Sequence, residues 1–188
     1  MKLNDCWLPE AQQKAFRAVL DGFARPGTQV MFGSADTDAA LVFLALLLDE
    51  SVTLADTTGR LGADQRRLLL APDAAPAHAR FILLDGSRPP AADFQPCLGT
   101  LESPELGATL VLDVVDLSSP QAGSIPLDLR GPGIDGQRVL HVSGLHPAWL
   151  SRRALWIGDF PLGVDLVLCA PDRVVVLPRT THIEFTGT

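Results

Sequence analysis

Between residues 9 and 24 the apolar side chains Ala11, Ala15, Phe16, Val19, Leu20 and Phe23 recur at three- and four-residue intervals, the spacing of one helix face. Pro9 suits the first turn, where a missing N–H leaves nothing unsatisfied. Arg25-Pro26-Gly27 ends the helix, because proline cannot continue it and glycine accepts positive φ. Residues 28–32 (TQVMF) then read as a short strand. A second helix is predicted to open near Asp36 or Thr37, both capable caps, and to run through AALVFLALLL to Asp49. It is apolar nearly all round, so it needs cover on most sides. SVTLA predicts a strand, GADQRRLLLA a modest helix and ARFILL another strand.

Residues 85–107 are rich in proline and glycine and read as loop with short helical turns. ATLVLDVVDL (108–117) carries apolar residues on both faces, as a strand in the middle of a covered sheet does. Residues 124–145 read as two strands joined by a glycine-rich turn, and PAWLSRRALWI as a helix. VDLVLCAPDRVVVL (164–177) predicts two buried strands, and it breaks at Pro178-Arg179-Thr180-Thr181-His182. No period of 20–50 residues marks a repeat array. The pattern predicts one α/β domain over residues 1–188, with a mixed sheet between two helical layers in an α/β/α arrangement.

Composition narrows the functions this fold can carry. At 188 residues, 47% apolar and 20% charged, the chain can bury one substantial core. The longest apolar run, residues 39–48, is half of the roughly 20 residues a membrane span needs. The N-terminal stretch lacks a signal-peptide pattern, so the cytoplasm is expected. A net charge of −7 disfavours binding to a phosphate backbone as the main task. Cys6, Cys97 and Cys169 have neither disulfide nor metal-site spacing. Lysine occurs only at Lys2 and Lys14, and tyrosine is absent. Schiff-base chemistry therefore has almost nowhere to stand.

Few groups combine into a known chemistry. His141 lies near Ser143, and His182 follows two threonines, but neighbours along a strand point to opposite faces and no G-x-S-x-G elbow occurs. His78, His141, His146 and His182 share no ligand spacing, so no metal is expected. RGPGIDG (130–136) exposes backbone N–H groups beside Arg130, yet no helix opens after it, and a hairpin turn explains its glycines. The PRTTH cluster admits two readings. Arg179 and the hydroxyls of Thr180 and Thr181 can surround an anion beside His182. Alternatively, Arg179 pairs with an acid and the hydroxyls satisfy backbone groups where the strand bends.

Three motifs in order, FRAVLDGFARPG, RGPGI and FPLGVDLVLCAPDRVVVLPRTTHIE, resemble those of the PhnH family, the PhnH subunit of bacterial carbon–phosphorus lyase. The resemblance runs from about residue 11 to residue 184 and is thin over 60–106. It implies a subunit that acts with PhnG, PhnI and PhnL in making α-D-ribose 1-methylphosphonate 5-triphosphate from ATP and methylphosphonate. It also implies a core complex with PhnG, PhnI and PhnJ, and a homodimer in isolation. The fold it implies is a trimmed pyridoxal-phosphate-dependent transferase without the cofactor, in keeping with the scarcity of lysine.

On this basis the chain is expected to be non-catalytic on its own. A binding module for a phosphorylated nucleotide or ribose intermediate is the alternative, and an independent small hydrolase a third. Candidate ligand or interface residues are Arg179, Thr180, Thr181 and His182, expected at the end of a central strand, with Arg130 and Arg25. Trp7, Trp149 and Trp156 are candidate interface anchors or core residues.

Overall fold

The computed structural model describes residues 8–32 and 38–185. Lys2, Cys6, Trp7 and the cap candidates Asp36 and Thr37 lie outside the described residues. Helix α1 spans Pro9–Ala24, with Pro9 in its first turn. Strand β1 (Gln29–Met31) follows, then α2 (Ala39–Leu47). The cap of α2 is Asp38, whose Oδ1 accepts from Leu41 N at 3.0 Å. Buried residues fill α2 from Ala39 to Ala45, as its uniform apolar pattern requires. After β2 (Leu54–Asp56) and α3 (Ala63–Leu69) come β3 (Phe81–Asp85), a 3₁₀ turn at Pro104–Leu106 and β4 (Thr109–Asp113). The hairpin β5 (Ile125–Arg130) and β6 (Arg138–Val142) leads to α4 (Ala148–Trp156). The chain then forms β7 (Asp165–Ala170), β8 (Arg173–Leu177) and β9 (His182–Phe185).

Six strands form one mixed sheet in the order β1-β8-β7-β4-β3-β2. Strands β2, β3, β4 and β7 are mutually parallel, and β8 runs antiparallel to both β7 and β1. The continuous apolar runs of β7 and β8 serve both faces of this sheet. Leu166, Leu168, Val175 and Leu177 belong to one core, while Val167, Cys169, Val174 and Val176 belong to the other. Each such aliphatic side chain contributes about 1.5–3 kcal/mol on leaving water.

One face is covered by helices, with Ala15 and Val19 of α1, the buried stretch of α2 and Leu69 of α3 packed on the sheet. The other face departs from the expected purely helical layer. There α4 shares the cover with a second, antiparallel sheet in the order β6-β5-β9. The reason is visible along β5 and β6. Leu127, Leu129, Leu140 and Val142 are buried while Asp128 and Val139 on alternate positions are not, so the hairpin lays one apolar face on the main sheet. Trp149 and Trp156 are 3% and 6% exposed and pack on Phe94, so they are core residues and not interface anchors. No helix among the described residues is long and apolar enough to cross a membrane.

Candidate functional site

PRTTH follows β8, and its direction decides where it lies. Because β8 is antiparallel to β7, the motif sits beside the first residue of β7, Asp165, at the amino ends of the parallel strands. Ligand crevices of open α/β sheets usually form at the opposite, carboxyl ends.

Arg179 is tied down at every nitrogen. Its backbone N–H donates to Asp165 Oδ1 at 2.7 Å, and Nη2 donates to Asp165 Oδ2 at 2.9 Å. Its Nε donates to Asp165 Oδ1 at 3.4 Å. Its Nη1 donates to the carbonyls of Pro104 at 2.8 Å and Pro161 at 3.2 Å. Gly107 leaves the space for this guanidinium. A Cβ there would come within 2.8 Å of Nη1 and would also collide with the Gly163 carbonyl. Arg179 thus has the acid partner that the sequence suggested as one option.

The Thr181 hydroxyl does not satisfy the backbone at the bend as the second reading expected. Thr181 is 1% exposed and its hydroxyl has no hydrogen-bond partner. The bend is held instead by its own turn, Thr181 N to Pro178 O at 2.8 Å, and by a residue that sequence reasoning missed. Arg153 of α4 donates from Nη2 to Pro178 O at 2.7 Å and to Thr181 O at 3.1 Å. Its position had a readable signal. At helical spacing from Trp149, Leu150 and Trp156, Arg153 falls on the buried face of α4. Desolvation pushes its pKa down to about 10, and the Asp165 carboxylate opposes that fall.

Around this bend lies a pocket of about 560 Å³. Arg153, Arg179, Thr180 and His182 supply its polar wall, and Leu150, Ile157, Phe160 and Ile183 much of its apolar one. Thr180 is half-buried and His182 exposed. Arg130 pairs in register with His182 across β5 and β9, but its Nη2 donates to Gln137 Oε1 at 3.0 Å. Arg25 lies at the end of α1, ion-paired to Asp21 at 3.3 Å. Neither Arg25 nor Arg130 lines the pocket.

The three sequence motifs nevertheless meet. Gly133 of the RGPG turn has a φ of +81°, and a Cβ on it would collide with the carbonyl of Ala24 just before Arg25-Pro26-Gly27. Arg138 closes the same junction, with Nη1 donating to Pro26 O at 3.0 Å and to Thr28 Oγ1 at 2.6 Å.

The carboxyl ends of the parallel strands carry a different set. Asp56, Asp85 and Asp113 are the last residues of β2, β3 and β4. Asp56 and Asp85 accept from Thr58 and Ser87 in local turns and pair with Arg66 at 3.1 Å and Arg88 at 3.2 Å respectively. Asp113 meets Arg60 at 3.1 Å, and the same guanidinium reaches Asp38 at 2.9 Å. Burial pushes Asp113 up to about 6 despite that cation. A pocket of about 350 Å³ opens there, with the buried Cys169 thiol in its wall. No cluster of three or more metal-ligating side chains occurs among the described residues.

Comparison with known proteins places this sequence in a family. The family described as bacterial phosphonate metabolism protein (PhnH) matches residues 6–184. A protein named as a C-P lyase subunit, HtxG, of Stutzerimonas stutzeri is 42% identical over 182 residues, which cover 96% of this chain and 90% of that one. A Rhizobium meliloti (strain 1021) protein is 34% identical, over 92% of this chain and 90% of its own length. Its name is the PhnH subunit of α-D-ribose 1-methylphosphonate 5-triphosphate synthase. The chain belongs to the PhnH family.

Proposed function

We propose that this PhnH-family chain is a non-catalytic subunit of a bacterial carbon–phosphorus lyase system. Its step is the formation of α-D-ribose 1-methylphosphonate 5-triphosphate from ATP and methylphosphonate. The observation that carries this reading is the likeness, over nine-tenths of both chains, to a relative named as a subunit of that synthase. The partners it calls for are subunits of the PhnG, PhnI and PhnL type, with PhnJ in the core complex, and a second copy of the chain when isolated. The cytoplasm is the compartment in which it would work.

Two features of the chain support a scaffold over an independent catalyst. Arg179, the strongest candidate by residue type, has its guanidinium fully occupied in holding β7, the 3₁₀ turn and the segment before β7 together. Lys14, the one lysine among the described residues, is exposed on α1, whereas a pyridoxal-phosphate lysine has to stand in a pocket that holds the aldehyde. We read the fold as one domain descended from that transferase architecture with the chemistry removed.

Co-expression with tagged PhnG, PhnI and PhnJ subunits, read by native mass spectrometry, tests the proposal. A stoichiometric complex containing this chain is expected. Thr180→Ala with His182→Ala, which leaves Arg179 and Arg153 in place, separates the roles of the motif. Loss of the chain from the complex makes PRTTH a docking knuckle. An intact complex without growth on methylphosphonate makes it a ligand site. Absence of any complex overturns the proposal.

A further inference from the structure

Arg153 presents a buried cation whose electrostatic needs the protein leaves partly unmet. It is 2% exposed, and both hydrogen bonds it donates leave from one nitrogen, Nη2. Its Nε is buried without an acceptor, and the Thr181 hydroxyl behind the same bend is also without a partner. The carboxylate that favours its charged form, Asp165, already has both oxygens bound by Arg179. A buried guanidinium balanced by two carbonyl dipoles, with no anion of its own, is a costly arrangement. Unpaired buried donors call for a reason.

We infer that the pocket between α4 and the β8–β9 bend is an anion site, with Arg153 as its fixed charge and a phosphoryl or phosphonyl group as its occupant. The donors that line it come from three elements: Arg153 from α4, Thr180 from the bend and His182 from β9. A planar carboxylate is matched by a single guanidinium fork, whereas a tetrahedral phosphorus anion offers three acceptor oxygens to donors arriving from separate directions. Leu150, Ile157, Phe160 and Ile183 provide an apolar wall for the organic part of such a ligand. The existence of the site rests on this geometry. Only the choice of phosphorus-bearing probes rests on the proposed function.

The test is thermal unfolding of the full chain in inorganic phosphate, methylphosphonate or metal-free ATP, each against sodium chloride and acetate at matched ionic strength. At about ten times the dissociation constant, a bound anion raises Tm by about 3–6 °C for a chain of this size. Ala154 is exposed on α4 and lines the same pocket, so Ala154→Glu keeps the helix and brings a carboxylate to the anion's position. That variant should lose the gain from phosphorus anions.

Methylphosphonate acting without ATP, or the reverse, identifies which ligand the site takes. The inference is overturned if no phosphorus anion exceeds chloride, if acetate does as well as phosphate, or if Ala154→Glu gains as much as the unaltered chain. A chain that binds no anion but still assembles with its partners would leave the subunit reading standing and remove this one alone.

Discussion

The two ends of the six-stranded sheet solve the same electrostatic problem with opposite surpluses. At the amino ends, Arg153 and Arg179 depend on one carboxylate, Asp165, and backbone carbonyls supply the remaining acceptors. At the carboxyl ends of β4 and β7, one guanidinium, Arg60, is shared by Asp38 and Asp113. The first cluster is the more buried, with Arg179 and Asp165 side chains 13% and 20% exposed against about a third for Arg60, Asp38 and Asp113. A chain of net charge −7 thus keeps a buried, only partly neutralised positive charge at the end of the sheet where α/β proteins seldom bind ligands. Strand order alone would direct attention away from the anion site inferred above. The local balance of charge and burial points toward it.

The sharpest way to break this contrast is to remove one arginine from each end. Arg179→Ala strips a largely buried carboxylate of its partner and frees two carbonyls, so a loss of about 3 kcal/mol is expected. Arg60→Ala removes a pair about one-third exposed to screening water, and about 1 kcal/mol or less should be lost. Urea unfolding of both variants decides. Equal losses would mean that the two clusters are energetically alike.

A smaller effect refines the amino end. Gly107 has a φ of −58°, which any residue adopts, so only space excludes a side chain there. Gly107→Ala should cost about 2 kcal/mol by displacing the Arg179 guanidinium and pressing on the Gly163 carbonyl. In the Arg179→Ala background part of that cost disappears, giving a coupling of about 1 kcal/mol in a double-mutant cycle. Strict additivity would show that Arg179 does not occupy the space Gly107 leaves.

How much of this could be read from the chain depends on the range of the interactions. The α1 face, the buried α2 and the β7–β8 hairpin follow from local apolar spacing, because each element meets its neighbours through a periodic pattern. The second sheet followed only in part, since the paired β5 and β6 were legible and the third strand was not. The tail of PRTTHIEF becomes β9 only by pairing with β5, more than fifty residues earlier, as in Arg130 with His182. The layer is mixed because the β5–β6 hairpin lays its apolar face on the main sheet, and β9 extends it. At the site, PRTTH drew attention for sound chemical reasons, but its own hydroxyls do not close the bend. Arg153 does, from a helix whose two adjacent arginines look alike until the face shared with Trp149 and Leu150 is counted. Asp113 was hidden as the polar end of an otherwise apolar strand.

The carboxyl end is sharpened by pH. Asp113 has its pKa raised to about 6 by burial, from about 3.9 in an unfolded chain. The native protein therefore holds this proton more tightly than the unfolded one. The stability it contributes is fully present below about pH 4 and is lost as pH rises through about 6. An asparagine at this position would have no proton to lose and would leave the Arg60–Asp38 pair intact. Asp113→Asn should thus match the unaltered chain near pH 4 and exceed it by about 1 kcal/mol at pH 7–8, after discounting for a side chain about one-third exposed. Asp56 and Asp116 are raised by desolvation but held below the usual carboxylate range by several hydrogen bonds acting together, to Asp56 from Thr58, Leu61 and Gly59 and to Asp116 from Ser118 and Leu117. Asp85 is held there by hydrogen bonds from Ser87 against desolvation. All three impose the opposite slope on both proteins and cancel in the difference. A difference that stays flat from pH 4 to 8 would mean Asp113 bears its charge without cost. The surplus carboxylate would then be no counterpart to the buried cation at the other end.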